Sequence, residues 1–271
     1  MKNKFAVFLG VTVLFLSGQP AFTADATVEL KALVQKIKAE LADGKTSTND
    51  LAGELKQFDF LLAEHHAEKT DAVANILYMK AKLYDEVFED PATAAALVKQ
   101  LKLEFQGTDF VAELEKREAA EQAAKQMQAS LAVGSPFPDF SETDVAGKPI
   151  SIASRKGKVV LIDFWATWCG PCRAELPNVL AAYKKYHDQG FEIIGVSLDQ
   201  DQAKLTGFIK SMNMTWPQYF DGQGWQNKLA VKYCIEAIPA TFLLDREGKI
   251  IGKNLRGEDL AAAVAKAVGK K

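Results

Sequence analysis

Val159-Val160-Leu161-Ile162-Asp163-Phe164-Trp165-Ala166-Thr167-Trp168-Cys169-Gly170-Pro171-Cys172-Arg173-Ala174-Glu175-Leu176-Pro177 is the stretch from which the rest of the chain can be read. It opens as an apolar run of strand length, broken only by Asp163. Two thiols follow, where a segment of helical spacing begins. Thiols delivered to a helix start lie beside unpaired N–H groups and the positive end of the helix dipole, and both favour a thiolate. The stretch predicts a strand–turn–helix unit whose chemistry is thiol–disulfide exchange.

The whole chain has 271 residues, room for one large domain or two ordinary ones. With 33 basic and 35 acidic side chains its formal charge is −2, which gives no reason to expect nucleic acid or an anionic membrane as partner. Three cysteines, two of them in one CxxC, exclude a disulfide-stapled scaffold. At the N-terminus Lys2 and Lys4 precede an apolar run from Phe5 to Leu16 and a small-residue stretch ending in Ala24-Asp25-Ala26. This is the pattern of a secretory signal peptide, expected over residues 1–26. The run is short for a bilayer span, so membrane contact is expected only through an uncleaved leader. A periplasmic or otherwise extracytoplasmic protein follows, in a compartment where disulfides persist.

Residues 27–131 read as an all-helical domain. Leu30, Leu33, Val34, Ile37 and Leu41 give one apolar stripe, and Leu51, Leu55, Phe58 and Leu62 give another behind a Ser47/Asp50 capping box. A third helix carries Val73, Ile76, Leu77, Tyr84 and Val87; Pro91 opens a fourth with Ala94, Leu97, Val98, Leu101 and Phe105. The short connections predict antiparallel helical hairpins. The third and fourth helices resemble a tetratricopeptide-type hairpin, without a second copy at the repeat period. Such a module either holds a partner or only packs and positions. His65 and His66, adjacent on a charged helix, are expected at a solvated surface. Phe110 to Met127 is mostly polar, as in helices that bridge domains, and Gly134-Ser135-Pro136-Phe137-Pro138 ends the helical pattern.

Residues 132–271 change period. Beyond the Val159–Trp165 strand come a Leu176–His187 helix, a Phe191–Leu198 strand and a Gln202–Met212 helix. A Thr241–Leu244/Ile250–Leu255 hairpin and an alanine-rich helix from Glu258 close the chain. The expected fold is α/β, a mixed central sheet flanked by helices.

A CxxC can be half a zinc site, a haem attachment or a redox pair. Nothing in the chain completes four zinc ligands, and Arg173 stands where haem attachment needs histidine, so neither metal nor cofactor is expected. As a redox pair, Cys169 is expected to be the accessible thiolate nucleophile and Cys172 the more buried resolving thiol. Resolution needs a proton acceptor. Asp163, in the apolar strand, and Glu175, one helical turn past Cys172, are the candidates.

The motif Phe164–Cys172 with Arg173–Pro177, the upstream Gly134–Phe140 and the downstream Ile238-Pro239-Ala240-Thr241-Phe242-Leu243-Leu244-Asp245 together resemble the TlpA/ResA group of extracytoplasmic thiol–disulfide oxidoreductases. That resemblance implies a thioredoxin fold, a cis Pro239 facing the cysteines, and a groove lined by Trp168, Gly170, Pro171, Ile238 and Gly257. It also implies a disulfide-bearing protein client and a thiol electron donor. Gly170-Pro171 between the cysteines resembles reducing thioredoxins rather than strong oxidants. Cys234 departs from the group's usual small residue and reads either as a small buried hydrophobe or as an extra thiol. Two other functions compete: a client-binding or assembly factor built on the helical domain, and a peroxiredoxin-like peroxidase. The peroxidase motif needs Pro and Thr where Ile162 and Ala166 stand.

Overall fold

The computed structural model describes residues 24–269, in two compact units divided between Ala119 and Ala120. The leader expected over residues 1–26 lies, but for its last three positions, outside the described residues. Among the described residues no helix is long and apolar enough to cross a membrane.

The first unit is helical: α1 (Ala24–Ala42), α2 (Ala52–Glu64), α3 (Asp71–Glu86), α4 (Pro91–Glu104) and the start of α5 (Asp109–Ser130). Its helix starts follow the sequence signals. Ser47 Oγ accepts from the Asp50 N–H and the Asp50 carboxylate accepts from the Ser47 N–H, each at 3.1 Å, so the capping box forms just ahead of α2. Thr70 caps α3, and Asp90 caps α4 with Pro91 in its first turn. Leu30, Leu33, Ile37, Phe58, Ile76, Leu77, Leu83 and Leu101 interlock in one core. The Phe110 N–H donates to Asp71 at 2.8 Å, tying the start of α5 to the start of α3.

His65 corrects the expectation of a solvated pair. Only His66 is exposed. His65 is 8% exposed, its Nδ1 2.8 Å from Glu68 and its Nε2 3.1 Å from Glu29 on α1. Those carboxylates, Glu68 foremost, raise its pKa against the opposing effect of burial.

The second unit contains a small antiparallel ribbon, β1 (Ser141–Thr143) with β2 (Pro149–Ser151), and a five-stranded mixed sheet. In that sheet β3 (Val159–Trp165) is central, with β4 (Phe191–Ser197) parallel on one side and β6 (Ala240–Leu244) antiparallel on the other. β5 (Gln218–Tyr219) and β7 (Ile250–Lys253) form the edges. The helices are α6 (Gly170–Tyr186), α7 (Gln202–Ser211), the short α8 (Lys228–Lys232) and α9 (Gly257–Val268). Every residue of β3 is buried, as an apolar run in a covered sheet must be. Phe164 joins an aromatic cluster with Tyr233, Phe242 and Phe137, while Asp163 faces α6 and α9.

α6 begins earlier than the expected Leu176–His187 helix. It runs from Gly170 through Pro177, whose missing N–H removes one bond of the helical ladder. Gly195 on β4 shows why a glycine sits in a buried strand. A Cβ there would lie 1.9 Å from Gln218 Oε1, the atom that accepts from the Trp165 indole N–H at 2.9 Å.

Candidate active site

Between β3 and α6 the chain turns at Ala166–Cys169, and a buried carboxylate fixes that turn. Asp199, just past β4, accepts from the Thr167 N–H at 3.0 Å and from the Thr167 hydroxyl at 2.5 Å, while Ser197 Oγ donates to it at 2.8 Å. The sequence reading passed over Asp199; an acid two residues past the largely apolar β4 was the available signal.

Cys169 caps α6 from an extended conformation, and the Cys172 N–H donates to its sulfur at 3.1 Å. The two sulfurs are joined at 2.05 Å. The Ile238 carbonyl oxygen is 3.7 Å from Cys169 Sγ, and the Ile238–Pro239 peptide bond is cis. Cys169 is 5% exposed and Cys172 6%, so burial does not separate them, contrary to the expectation of an open Cys169. Gly170 and Pro171 are exposed in the first turn of α6, and a Cβ placed on Gly170 would meet nothing within 4 Å.

Beside the disulfide Trp168 is 55% exposed. Its ring centroid lies 6.3 Å from that of Trp225, itself 46% exposed. Trp225 belongs to a 3-10 turn, Gly224–Gln226, between β5 and α8. A single tryptophan in an irregular segment has no periodicity, and sequence reasoning missed it.

Beneath the disulfide Asp163 is buried, flanked by Gly195 on β4 and Thr241 on β6. Burial pushes its pKa up to about 7; the Arg256 guanidinium pulls the other way and the Glu175 carboxylate adds to the rise. Glu175 is half-buried on α6, its Oε1 accepting from the Gly257 N–H at 2.8 Å and its Oε2 from Asn178 Nδ2 at 3.1 Å. Gly257, at φ +51°, thus turns its N–H toward Glu175. Asp163, Glu175, Cys172, Pro239, Thr241 and Arg256 line one cavity of about 10 Å³, the size of about one water molecule.

Of the sequence-predicted residues, then, Cys169, Cys172, Ile238 and Pro239 meet at the disulfide. Asp163 and Glu175 meet below it, and Trp168, Gly170 and Pro171 surround it on the exposed side. Cys234 is neither: it is a half-buried turn residue at φ +53°, its carbonyl accepting from Gln128 Nε2 at 3.1 Å. Its expected role as a small buried hydrophobe gives way to a left-handed backbone position, where glycine is the easy choice. Among the described residues Glu29, Glu64 and His65 bring ligand-type atoms within 4.8 Å of one another. Both ring nitrogens of His65 are already engaged by carboxylates, which makes this an ion-pair cluster. Chemically, the site can pass two electrons at the disulfide and exchange a proton near neutrality just below it.

Residues 132–268 match the family model described as Redoxin. Over 123 residues the chain is 35% identical to the thiol-disulfide oxidoreductase ResA of Bacillus cereus (strain ZK / E33L), an alignment covering 45% of this chain and 69% of that protein. It is 34% identical over 122 residues to ResA of Bacillus subtilis (strain 168), covering 45% of this chain and 66% of the other. The solved thioredoxin domain of a thiol-disulfide oxidoreductase from Bacteroides vulgatus is 38% identical, covering 52% of this chain and 100% of that one at a TM-score of 0.48.

Proposed function

The chain belongs to the Redoxin family, among the ResA/TlpA-type thiol-disulfide oxidoreductases, and from that premise we propose that it reduces disulfides of protein clients outside the cytoplasm. The observation that carries the reading is the Cys169–Cys172 pair at the start of α6, with a carboxyl of pKa about 7 directly beneath it. In the dithiol form the Cys169 thiolate attacks one sulfur of the client disulfide, and the other client sulfur leaves and takes up a proton. The Cys172 N–H, 3.1 Å from Cys169 Sγ, is placed to stabilise that thiolate. Cys172 then gives its proton to the carboxyl pair of Asp163 and Glu175 and attacks Cys169 Sγ. This re-forms the disulfide and releases the client's second thiol. The client gains two electrons and the protein loses two, which a thiol donor restores.

Client chains would approach over Trp168, Gly170, Pro171 and Ile238, with Trp225 extending the apolar surface beside Trp168. The extracytoplasmic placement rests on the leader-like sequence from Lys2 to Leu16 and on the persistence of disulfides there. A second reading, a helical unit that holds one particular client, draws on a groove of about 570 Å³ within the first unit. It is lined by Ala81, Pro91, Ala94, Val98 and Leu103 together with charges of both signs, Lys82, Lys99 and Lys102 beside Asp85 and Glu118.

One variant tests both readings. Cys172→Ser leaves Cys169 unable to release a client, so mixed disulfides should accumulate at Cys169 and be identifiable by mass spectrometry. Many trapped clients favour the general reductase and one favours the client-specific factor. No adduct, from protein whose Cys169 is verified as reduced, would sink the exchange mechanism.

A further inference from the structure

Arg256 immediately precedes α9 and attracts no notice in the sequence, yet its side chain makes three hydrogen bonds around the site. It is half-buried, on extended backbone at φ −139° and ψ 156°. Its Nη2 donates to the Pro239 carbonyl at 2.6 Å, and its Nη1 to Thr241 Oγ1 at 2.8 Å and to the Leu255 carbonyl at 2.7 Å. The next residue, Gly257, donates to Glu175 on the cysteine helix. A closed circuit results: Cys169 Sγ against the Ile238 carbonyl, the Pro239 carbonyl on Arg256, Arg256 joined to Gly257, and Gly257 on Glu175, one turn from Cys172.

Two properties of this arrangement point to a role in the reaction. First, every acceptor on the guanidinium is a neutral oxygen, and among the described residues no carboxylate stands within ion-pair distance. The positive charge is therefore not cancelled by contact and acts through space. Second, among the described residues Arg256 is the only cation lining the cavity below the disulfide. Besides Asp163, the other titratable groups of that cavity are Cys172 and Glu175 from α6, and the rest of its lining is uncharged, so among the described residues there Arg256 alone opposes the negative charge. Opening the disulfide places a thiolate at Cys169, and closing it again moves the Cys172 proton onto the carboxyls, so the charge of this space changes in each half of the cycle.

Resting on the thiol–disulfide reading above, we infer that Arg256 is a positioning residue with two duties: its fork fixes the Pro239 carbonyl beside the cysteines, and its charge balances the carboxyl pair beneath them. A lysine could supply the charge but not two divergent bonds from one rigid plane.

The two duties separate in two variants of the full chain. Arg256→Met removes both, and Arg256→Lys keeps the charge. In oxidised protein, the carboxyl titration of Asp163 followed by ¹³C NMR should move up by about one pH unit in Arg256→Met and stay near the wild-type midpoint in Arg256→Lys. Both variants should show a several-fold higher KM for reduction of insulin. An unmoved Asp163 midpoint in Arg256→Met overturns the charge role. An unchanged insulin KM in Arg256→Lys overturns the positioning role, and does so even if Arg256→Met does not fold. Should wild-type protein fail to reduce insulin, the reductase reading fails instead, while the NMR titration still judges Arg256.

Discussion

Asp163 is an acid kept under a disulfide by an apolar strand, and its cost to the fold can be worked out from its position. Its carboxyl rises from an ordinary 3.8 to about 7, chiefly through burial. Between those values the native protein binds the proton that the unfolded chain has released, so stability falls as pH rises and the full loss is reached above about pH 7. At 1.36 kcal/mol per unit this amounts to about 4 kcal/mol. Asp163→Asn removes the titration, so the variant should exceed wild type by a margin that widens by about 2–3 kcal/mol between about pH 5 and about pH 8.5. Denaturant unfolding of the oxidised proteins, followed by tryptophan fluorescence, is the assay. Trp165, Trp168, Trp216 and Trp225 all lie in the second unit, so the signal reports that unit alone. A margin that stays constant across this range would refute the placement of a near-neutral acid at this site.

His65 should behave in the opposite way in the first unit. Its raised pKa means that its two carboxylate bonds contribute fully below about pH 6.5 and are lost as pH rises through the folded-state value. His65→Ala should therefore cost about 1–3 kcal/mol in acid and less in base, read by far-UV circular dichroism on heating; an equal cost at both ends would count against the paired imidazolium. Gly195→Ala should cost about 2–3 kcal/mol by driving Gln218 away from Trp165, and a change below about 0.5 kcal/mol in the fluorescence-detected midpoint would show that Gln218 moves freely.

The fold was legible where periodicity is strong and caps are explicit. The β3 run, the Thr70 and Asp90 caps and the Ser47/Asp50 box each announce an element through local chemistry. Pro177 misled because proline normally marks a helix boundary, yet α6 carries it inside, in its second turn. The cysteines and both carboxylates were legible because they share one continuous segment. Asp199, Trp225 and Arg256 were not, since each reaches the site from a distant loop and is given meaning only by the sheet order that brings β4, β6 and α9 around β3. His65 was misread for a related reason. Its partner Glu29 lies on another helix, and no spacing within one helix records that contact.

Gly170 has a wider consequence. It sits in sequence between the two reacting cysteines, yet a Cβ added there would meet nothing within 4 Å. The turn is anchored from behind by Asp199 and the helix by its own core, so the residue nearest the chemistry carries little of the architecture. A side chain added there starts in open space, and each one would alter the environment of the thiolate. The site therefore contains an adjustable setting, through which descendants of this chain, or a laboratory library at this one codon, can explore different electron affinities on an unchanged scaffold.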